Sequence, residues 1–305
     1  MTTTTTIAHP FFPYMGGKRK IANWIHSNSP ETFRDYYEPF LGGGAIALDV
    51  LSREPKGSGR KFYLSDYNPE IVAAWSALKE TPELLFSILE GFFAAHCREH
   101  FNAVRFWDRN AVLEQKSQAE RGARWIYLAR TCFGGSLTTD KSGFMKASYA
   151  YRHAGHAGHA GHSDPDYANM RAVSELLNAF DVTITQGSYE RVLNTAGFGD
   201  FIYLDPPYET TADDGHEITS NYVSGGFDHG VLAENMNKMT ALGAMVLMSN
   251  ADTAPVRKLF AGFACVRPDH IWTVNGARRD ASEILVSNWR LADRLTKQRA
   301  LALAA

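Results

Sequence analysis

Apolar side chains recur at helical spacing through the first half of the chain. Ile71, Ala74, Trp75 and Leu78 lie three or four positions apart, and Leu84, Leu85, Ile88, Leu89 and Phe92 repeat the pattern. Pro82 suits the first turn of that second run, with Thr81 expected as its N-cap. Further helices are predicted over 45–51, 166–179, 228–242 and 254–261, and over 121–130 with Trp125 and Leu128 or Ala129 inward. Strands are predicted at 36–41, 61–64 and 283–287, and three further ones at 182–185, 201–204 and 244–248 are short and apolar. That is the pattern of strands covered on both faces, as in a parallel sheet. Strands alternating with helices predict an α/β protein with a doubly wound, Rossmann-like sheet. The alternation stops between 76 and 163, where helical runs give way to a glycine-rich, aperiodic loop over 132–162. We read 76–163 as an inserted, mostly helical domain that splits a core made of 10–75 and 164–305.

The 305 residues suffice for a core domain carrying such an insert. Hydrophobic residues at 45% and charged residues at 21% exclude a disordered or fibrous chain. No apolar run approaches the roughly 20 residues of a membrane helix. Met1 and the five threonines after it lack the basic and apolar regions of a secretory signal. Cys97, Cys132 and Cys265 lie far apart without metal-ligand spacing, so reduced thiols in a cytoplasmic protein are expected.

The net charge of −2 conceals an asymmetry. Residues 76–163 hold 11 Lys and Arg against 8 Asp and Glu. Between 121 and 152, Arg121, Arg124, Arg130, Lys141, Lys146 and Arg152 stand against Asp140 alone. A solvated loop and a surface that meets a phosphate backbone both account for this bias. His153, His156, His159 and His162 are separated only by Ala-Gly pairs, with no thiol or carboxylate among them, so a flexible loop is expected there and no metal site.

Two strand ends carry candidate chemistry. Glu38-Pro39-Phe40-Leu41-Gly42-Gly43-Gly44-Ala45 runs from a strand through a glycine turn into a helix. Glycines permit close backbone approach, and the helix start offers N–H groups; a plain tight turn is the purely structural alternative. Gly-x-Gly-x-x-Gly is not satisfied, since the sixth position from Gly42 is Ala47 and no cation follows to suit a phosphate. Asp66 ends the next strand, where an acid accepts hydrogen bonds from ribose hydroxyls. The pair points to an adenosyl ligand without a pyrophosphate. Asp205-Pro206-Pro207-Tyr208 closes a later apolar strand. Its prolines remove donors and fix φ, so the turn presents the Asp205 carboxylate and the Pro206 carbonyl beside the Tyr208 ring. Two acceptors and a flat face suit a planar amine.

In this order the motifs resemble those of the DNA adenine methyltransferase (Dam) family, S-adenosylmethionine-dependent N6-adenine enzymes with the cofactor motif ahead of the catalytic one. Pro13-Tyr14-Met15-Gly16-Gly17-Lys18 resembles the N-terminal cofactor motif, 38–45 the glycine motif, Asp66-Tyr67-Asn68 the acidic motif and 205–208 the catalytic tetrapeptide. Met248-Ser249-Asn250, Tyr222 with Phe227-Asp228-His229, and Arg278-Arg279 ahead of Glu283 resemble later segments. The resemblance implies that Tyr14, Gly16, Lys18, Glu38, Phe40, Gly42, Gly44, Asp66, Asn68 and Asp205 hold S-adenosylmethionine. It implies catalysis by Asp205, Pro206 and Tyr208 on an adenine flipped out of double-stranded DNA, with no metal. It also makes 76–163 the target-recognition domain, with Arg130, Lys141, Lys146 and Arg152 as DNA-contact candidates. Where Dam-like enzymes commonly carry Arg-Tyr-Asn, this chain has Leu137-Thr138-Thr139-Asp140-Lys141, so a GATC target is not implied. The rival readings are an N4-cytosine methyltransferase, in which Ser commonly replaces the acid of the tetrapeptide, and an inert DNA-binding relative.

Overall fold

A computed structural model describes residues 8–109, 111–135, 137–140, 142–150, 164–208, 227–267 and 283–289. The strands are β1 (Tyr36–Glu38), β2 (Lys61–Asp66), β3 (Thr138–Thr139), β4 (Met145–Lys146), β5 (Asp181–Gln186), β6 (Phe201–Leu204), β7 (Met245–Ala251), β8 (Ala264–Val266) and β9 (Glu283–Ser287). The helices are α1 (Ala22–Ser27), α2 (Ala45–Arg53), α3 (Pro69–Glu80), α4 (Pro82–Ala94), α5 (Arg98–Arg105), α6 (Gln118–Thr131), α7 (Tyr167–Ala179), α8 (His229–Ala241) and α9 (Ala254–Leu259). Seven strands belong to a mixed sheet and β3 and β4 form a separate hairpin, an α/β Rossmann-like architecture. The chain divides into two compact units, 1–22 with 41–187 and 23–40 with 188–305.

In the first unit β2 and β5 pair in parallel from Lys61 opposite Asp181 to Asp66 opposite Gln186. Helix α3 starts where Asn68 caps it, the side-chain oxygen accepting from the Glu70 N–H at 2.9 Å. Its face of Ile71, Ala74, Trp75 and Leu78 is buried, as the spacing predicts. Helix α6 begins with a reciprocal capping box between Ser117 and Glu120. It meets α3 backbone to backbone: a methyl group on Gly122 would stand 2.8 Å from the Ala73 carbonyl oxygen. Thr81 occupies the position before α4 but does not cap it. Its hydroxyl instead donates back to the Ala77 carbonyl at 3.4 Å, because Thr81 also ends α3 and serves that helix's open carbonyls.

The predicted loop over 132–162 contains a two-residue hairpin. Thr138 pairs with Lys146 and Thr139 with Met145, closed by Asp140 N–H donating to the Phe144 carbonyl at 2.8 Å. Two-residue strands are too short to show a period, which is why the sequence pattern does not reveal them.

In the second unit β1, β6 and β7 run parallel, while β9 lies antiparallel to β7 and β8 antiparallel to β9. Phe201 to Leu204, Val246 to Met248 and Ile284 to Val286 are all buried, which explains their uninterrupted apolar runs. Asp200, just ahead of β6, is buried and takes a two-pronged bond from Arg34, at 2.8 and 2.6 Å, together with the Gly197 N–H at 2.8 Å.

Candidate active site

Asp66 and Asp205 each stand at the carboxyl end of a parallel strand, where open α/β sheets place their ligands. In the first unit, Asp66 is buried and its two oxygens accept the Gly42 N–H at 2.8 Å and the Asn68 N–H at 2.9 Å. The turn is held from its other side by the Trp75 indole N–H, which donates to the Gly42 carbonyl at 3.0 Å. Gly42 and Gly44 both have left-handed backbones, at φ 45 and 65°. A methyl group on Gly42 would lie 2.5 Å from the Tyr14 ring, and one on Gly44 2.2 Å from the Trp75 ring. These glycines therefore make room for the protein's own aromatic rings. Gly16 also has a left-handed backbone, at φ 78°, with open space beside it. Its carbonyl accepts from the buried Lys18 ammonium at 2.7 Å.

Burial pushes the Asp66 carboxyl up to about 6, against the pull of the Asn68, Gly42 and Tyr67 N–H groups, which favour the charge. The sign for stability follows from the ordinary value of 3.8. The charged group disfavours folding by about 3 kcal/mol above pH 6, and this cost fades as pH falls from 6 towards 3.8.

In the second unit, Ser249 on β7 donates to Oδ1 of Asp205 at 2.9 Å. That bond uses the only hydroxyl proton of Ser249, so the buried Tyr203, 2.9 Å from the same oxygen, is the donor to it. Tyr203 on β6 and Ser249 on β7 thus line up into a relay that orients the Asp205 carboxylate. Sequence reading sees Tyr203 only as part of an apolar strand. The Pro207 carbonyl accepts from Nε2 of His229 at 2.9 Å, so Pro206 supplies the turn's other acceptor. Burial, and after it the Asp205 charge, hold the Tyr203 and Tyr208 phenols well above their ordinary value, so both stay protonated.

Glu38 is buried and accepts the Tyr36 hydroxyl at 2.6 Å. Phe40 stacks on Tyr189 with ring centres 5.2 Å apart, and Phe227 meets the two at 5.7 and 5.8 Å. Asn235 donates to the Tyr189 hydroxyl at 3.0 Å and so locks that ring.

The basic bias of 121–152 is partly spent inside the first unit. Arg121 pairs with Glu70 at 2.7 Å. Arg124, 1% exposed, lies 3.5 Å from Glu70 and 3.4 Å from Asp108. Both acids lie outside that window, which is why a linear count misses them. Arg130 directs its guanidinium at the carbonyls of Phe11, at 2.9 Å, and Asp164, at 3.1 Å. Lys146 is exposed on β4. Lys141, Arg152, Tyr222, Arg278, Arg279 and the histidine tract lie outside the described residues. Among the described residues no cluster of His, Cys, Asp or Glu is arranged to hold a metal ion, and no helix is long and apolar enough to cross a membrane.

An acid-held glycine turn in one unit and an Asp-Pro-Pro-Tyr turn in the other, on a sheet of this kind, are the parts of an α/β methyltransferase that acts on an amino nitrogen. The sequence profile of the D12 class N6 adenine-specific DNA methyltransferases matches residues 14–274, and the chain belongs to that family. It is an adenine-specific DNA methyltransferase. The Type II methyltransferase M1.LlaDCHI of Lactococcus lactis subsp. cremoris is 27% identical over 92% of this chain and 95% of its own. The DNA adenine methylase of Vibrio cholerae serotype O1 is 25% identical over 91% of this chain and 94% of its own. These matches span both units and do not favour the N4-cytosine or inert-binder readings. Among solved structures, the rRNA methyltransferase aviRa of Streptomyces viridochromogenes covers 95% of this chain and 92% of its own at 13% identity. Its TM-score of 0.35 is too low to bear on the argument.

Proposed function

We propose that the methyl donor is S-adenosylmethionine and that the acceptor is N6 of an adenine rotated out of double-stranded DNA. The observation that carries this reading is the Tyr203–Ser249–Asp205 relay beside a proline-locked carbonyl, an array built to receive a planar amine. The residues assigned to the donor are Tyr14, Gly16, Lys18, Glu38, Phe40, Gly42, Gly44, Asp66, Asn68 and Asp205. Their chemistry fits an adenosyl amino acid: the Asp66 carboxylate suits ribose hydroxyls, the rings of Phe40, Tyr189 and Phe227 are apolar partners for a base, and residues 38–45 of the glycine turn include no Lys or Arg to claim a phosphate. When bound, the cofactor supplies an activated methyl group on a sulfonium.

The chain's own part is placement and charge complementarity. The N6 lone pair is delocalised into the adenine ring and is a poor nucleophile. Asp205 and the Pro206 carbonyl accept the two N6 hydrogens, which favours a tetrahedral nitrogen with its lone pair available for the new N–C bond. The amine proton released on transfer has the Asp205 carboxylate as its nearest base. The Tyr208 ring stacks on the base and holds it out of the duplex, against an unstacking cost of a few kcal/mol. Residues 76–163 are assigned to target recognition, between core segments 10–75 and 164–305, with Lys146 the best-placed described DNA contact.

The test is incubation with duplex DNA and methyl-labelled S-adenosylmethionine, followed by nucleoside analysis. Label in N6-methyl-2′-deoxyadenosine is expected, more from duplex than from single strands of the same sequence. Label elsewhere, or none, overturns the reading. Asp66→Ala is expected to weaken cofactor binding about tenfold or more, the loss of a charge-assisted acceptor. In the parent protein, affinity should fall as pH drops through about 6, because protonation removes that acceptor. A cofactor titration unchanged by the substitution and flat between pH 5 and 8 removes Asp66 from the ribose site.

A further inference from the structure

Lys146 lies on a strand of two residues, and so short a hairpin has little stability of its own. Its rigidity comes from outside it. Asp108 accepts the backbone N–H of Met145, and Arg105 donates to the Ala147 carbonyl at 2.7 Å, so the residues on both sides of Lys146 are tied to the end of α5 and the 3-10 turn Phe106–Asp108 that follows it. The Arg109 guanidinium lies over the rings of Phe106 and Phe144, 4.5 and 5.3 Å from their centres.

These ties converge on Arg124. Its buried guanidinium donates to the Val104 carbonyl at 3.0 Å and the Arg105 carbonyl at 2.7 Å, and it faces Asp108 and Glu70. Glu70 lies in the first turn of α3, two residues past Asn68, whose N–H Asp66 accepts. Arg124 therefore joins the helix that starts at the glycine-turn acid to the carboxylate that holds β4. Burial pushes the Arg124 guanidinium below its ordinary value while Glu70 and Asp108 favour its charge, so removing either acid leaves a buried cation short of a partner.

We propose that Asp108 is a positioning residue for DNA recognition: fixed by Arg124, it sets the register of β4 at Met145 and thereby the place from which Lys146 meets DNA. The inference rests on the assignment of 76–163 to target recognition. A planar carboxylate held by a buried guanidinium is a rigid acceptor, and a rigid acceptor on one strand amide fixes the side chain next along.

The experiment compares Asp108→Ala, Asp108→Asn and Lys146→Ala by steady-state kinetics on cognate DNA and single-base mismatches, with cofactor affinity and melting temperature measured alongside. Asp108→Ala should raise KM for DNA about tenfold and reduce mismatch discrimination, with kcat and cofactor affinity near those of the parent. Asp108→Asn retains an oxygen for the Met145 N–H and should recover most of the loss in KM while still melting lower, since the buried Arg124 then has only Glu70 as a charged partner among those described. Equal damage from Ala and Asn, or a fall in kcat with KM unmoved, identifies a merely structural carboxylate and overturns the proposal. If Asp108→Ala does not fold, Arg105→Gln removes the second tie while leaving the buried ion pairs, and should raise KM with an unchanged salt slope. A lost phosphate contact would instead lower that slope by about one. Lys146→Ala separates the two levels. If it leaves DNA affinity and salt slope untouched, the assignment of the hairpin to DNA fails and the proposal falls with it. If it weakens DNA binding while Asp108→Ala does not, the positioning role alone is wrong.

Discussion

Asp205→Ala is expected to lower kcat by about 10²–10³-fold while DNA and cofactor binding remain measurable. In the role proposed for it, the carboxylate accepts from the amine as the nitrogen becomes tetrahedral, so its contribution would be made in the transition state more than in the bound ground state. Alanine also leaves the Ser249 hydroxyl, to which Tyr203 donates, without its own acceptor. Asp205→Asn is the informative companion. It preserves shape and offers Ser249 an oxygen, but it carries no charge and turns a donor group towards the site. A comparable loss in both variants identifies the charge as the effective part. Single-turnover rates within tenfold of the parent for Asp205→Ala would remove the residue from its assigned role.

The second large effect falls on the fold. Gly44→Ala places a methyl group 2.2 Å from the Trp75 ring on a backbone at φ 65°. The left-handed backbone costs a residue with a Cβ about 1–2 kcal/mol, and forcing an atom into a packed core costs about 1–3 kcal/mol more. Trp75 has little room to retreat, since it is fully buried and its indole N–H is bound to the Gly42 carbonyl. A loss of about 3 kcal/mol or more in unfolding free energy is expected from urea titration, a large part of a typical domain's stability. Gly16→Ala is the control, because it shares the left-handed backbone but has open space beside it. About 1 kcal/mol is expected there. Equal midpoints for the two variants would mean that the Trp75 contact yields.

The inner strands were legible because burial on both faces leaves a mark in every residue, as in Phe201 to Leu204 and Val246 to Met248, whereas β5 is an edge strand with only Val182 buried, so the expectation of two covered faces fails there. The Asp66 and Asp205 motifs were legible for a related reason, since an acid at the end of such a strand interrupts the pattern. Strand β8 and the β3–β4 hairpin left no comparable mark, being two or three residues long and incompletely buried. The charges of Arg121 and Arg124 looked like surface because their acids, Glu70 and Asp108, are remote in sequence or on another element. The glycine turn was visible as a turn, but that Tyr14 and Trp75 are what crowd it depends on tertiary packing. Ser249 was visible only as part of a motif, and its partner Tyr203 not at all. A tyrosine inside an apolar strand looks like core until its hydroxyl has somewhere to go.

The proline pair after Asp205 has a consequence for which bases the turn admits under the role proposed for it. Neither proline has an N–H, the Pro207 carbonyl is already bound by His229, and what remains at the strand end is a carboxylate and a carbonyl. The Asp205 carboxylate and the Pro206 carbonyl offer lone pairs only. Thymine O4 and guanine O6 also present lone pairs at the corresponding ring position, so a keto base would meet repulsion and leave its oxygen without a donor. The four bases are thereby sorted into amino and keto classes by what the backbone lacks. Ring size and the neighbouring base pairs then remain to be read elsewhere on the protein.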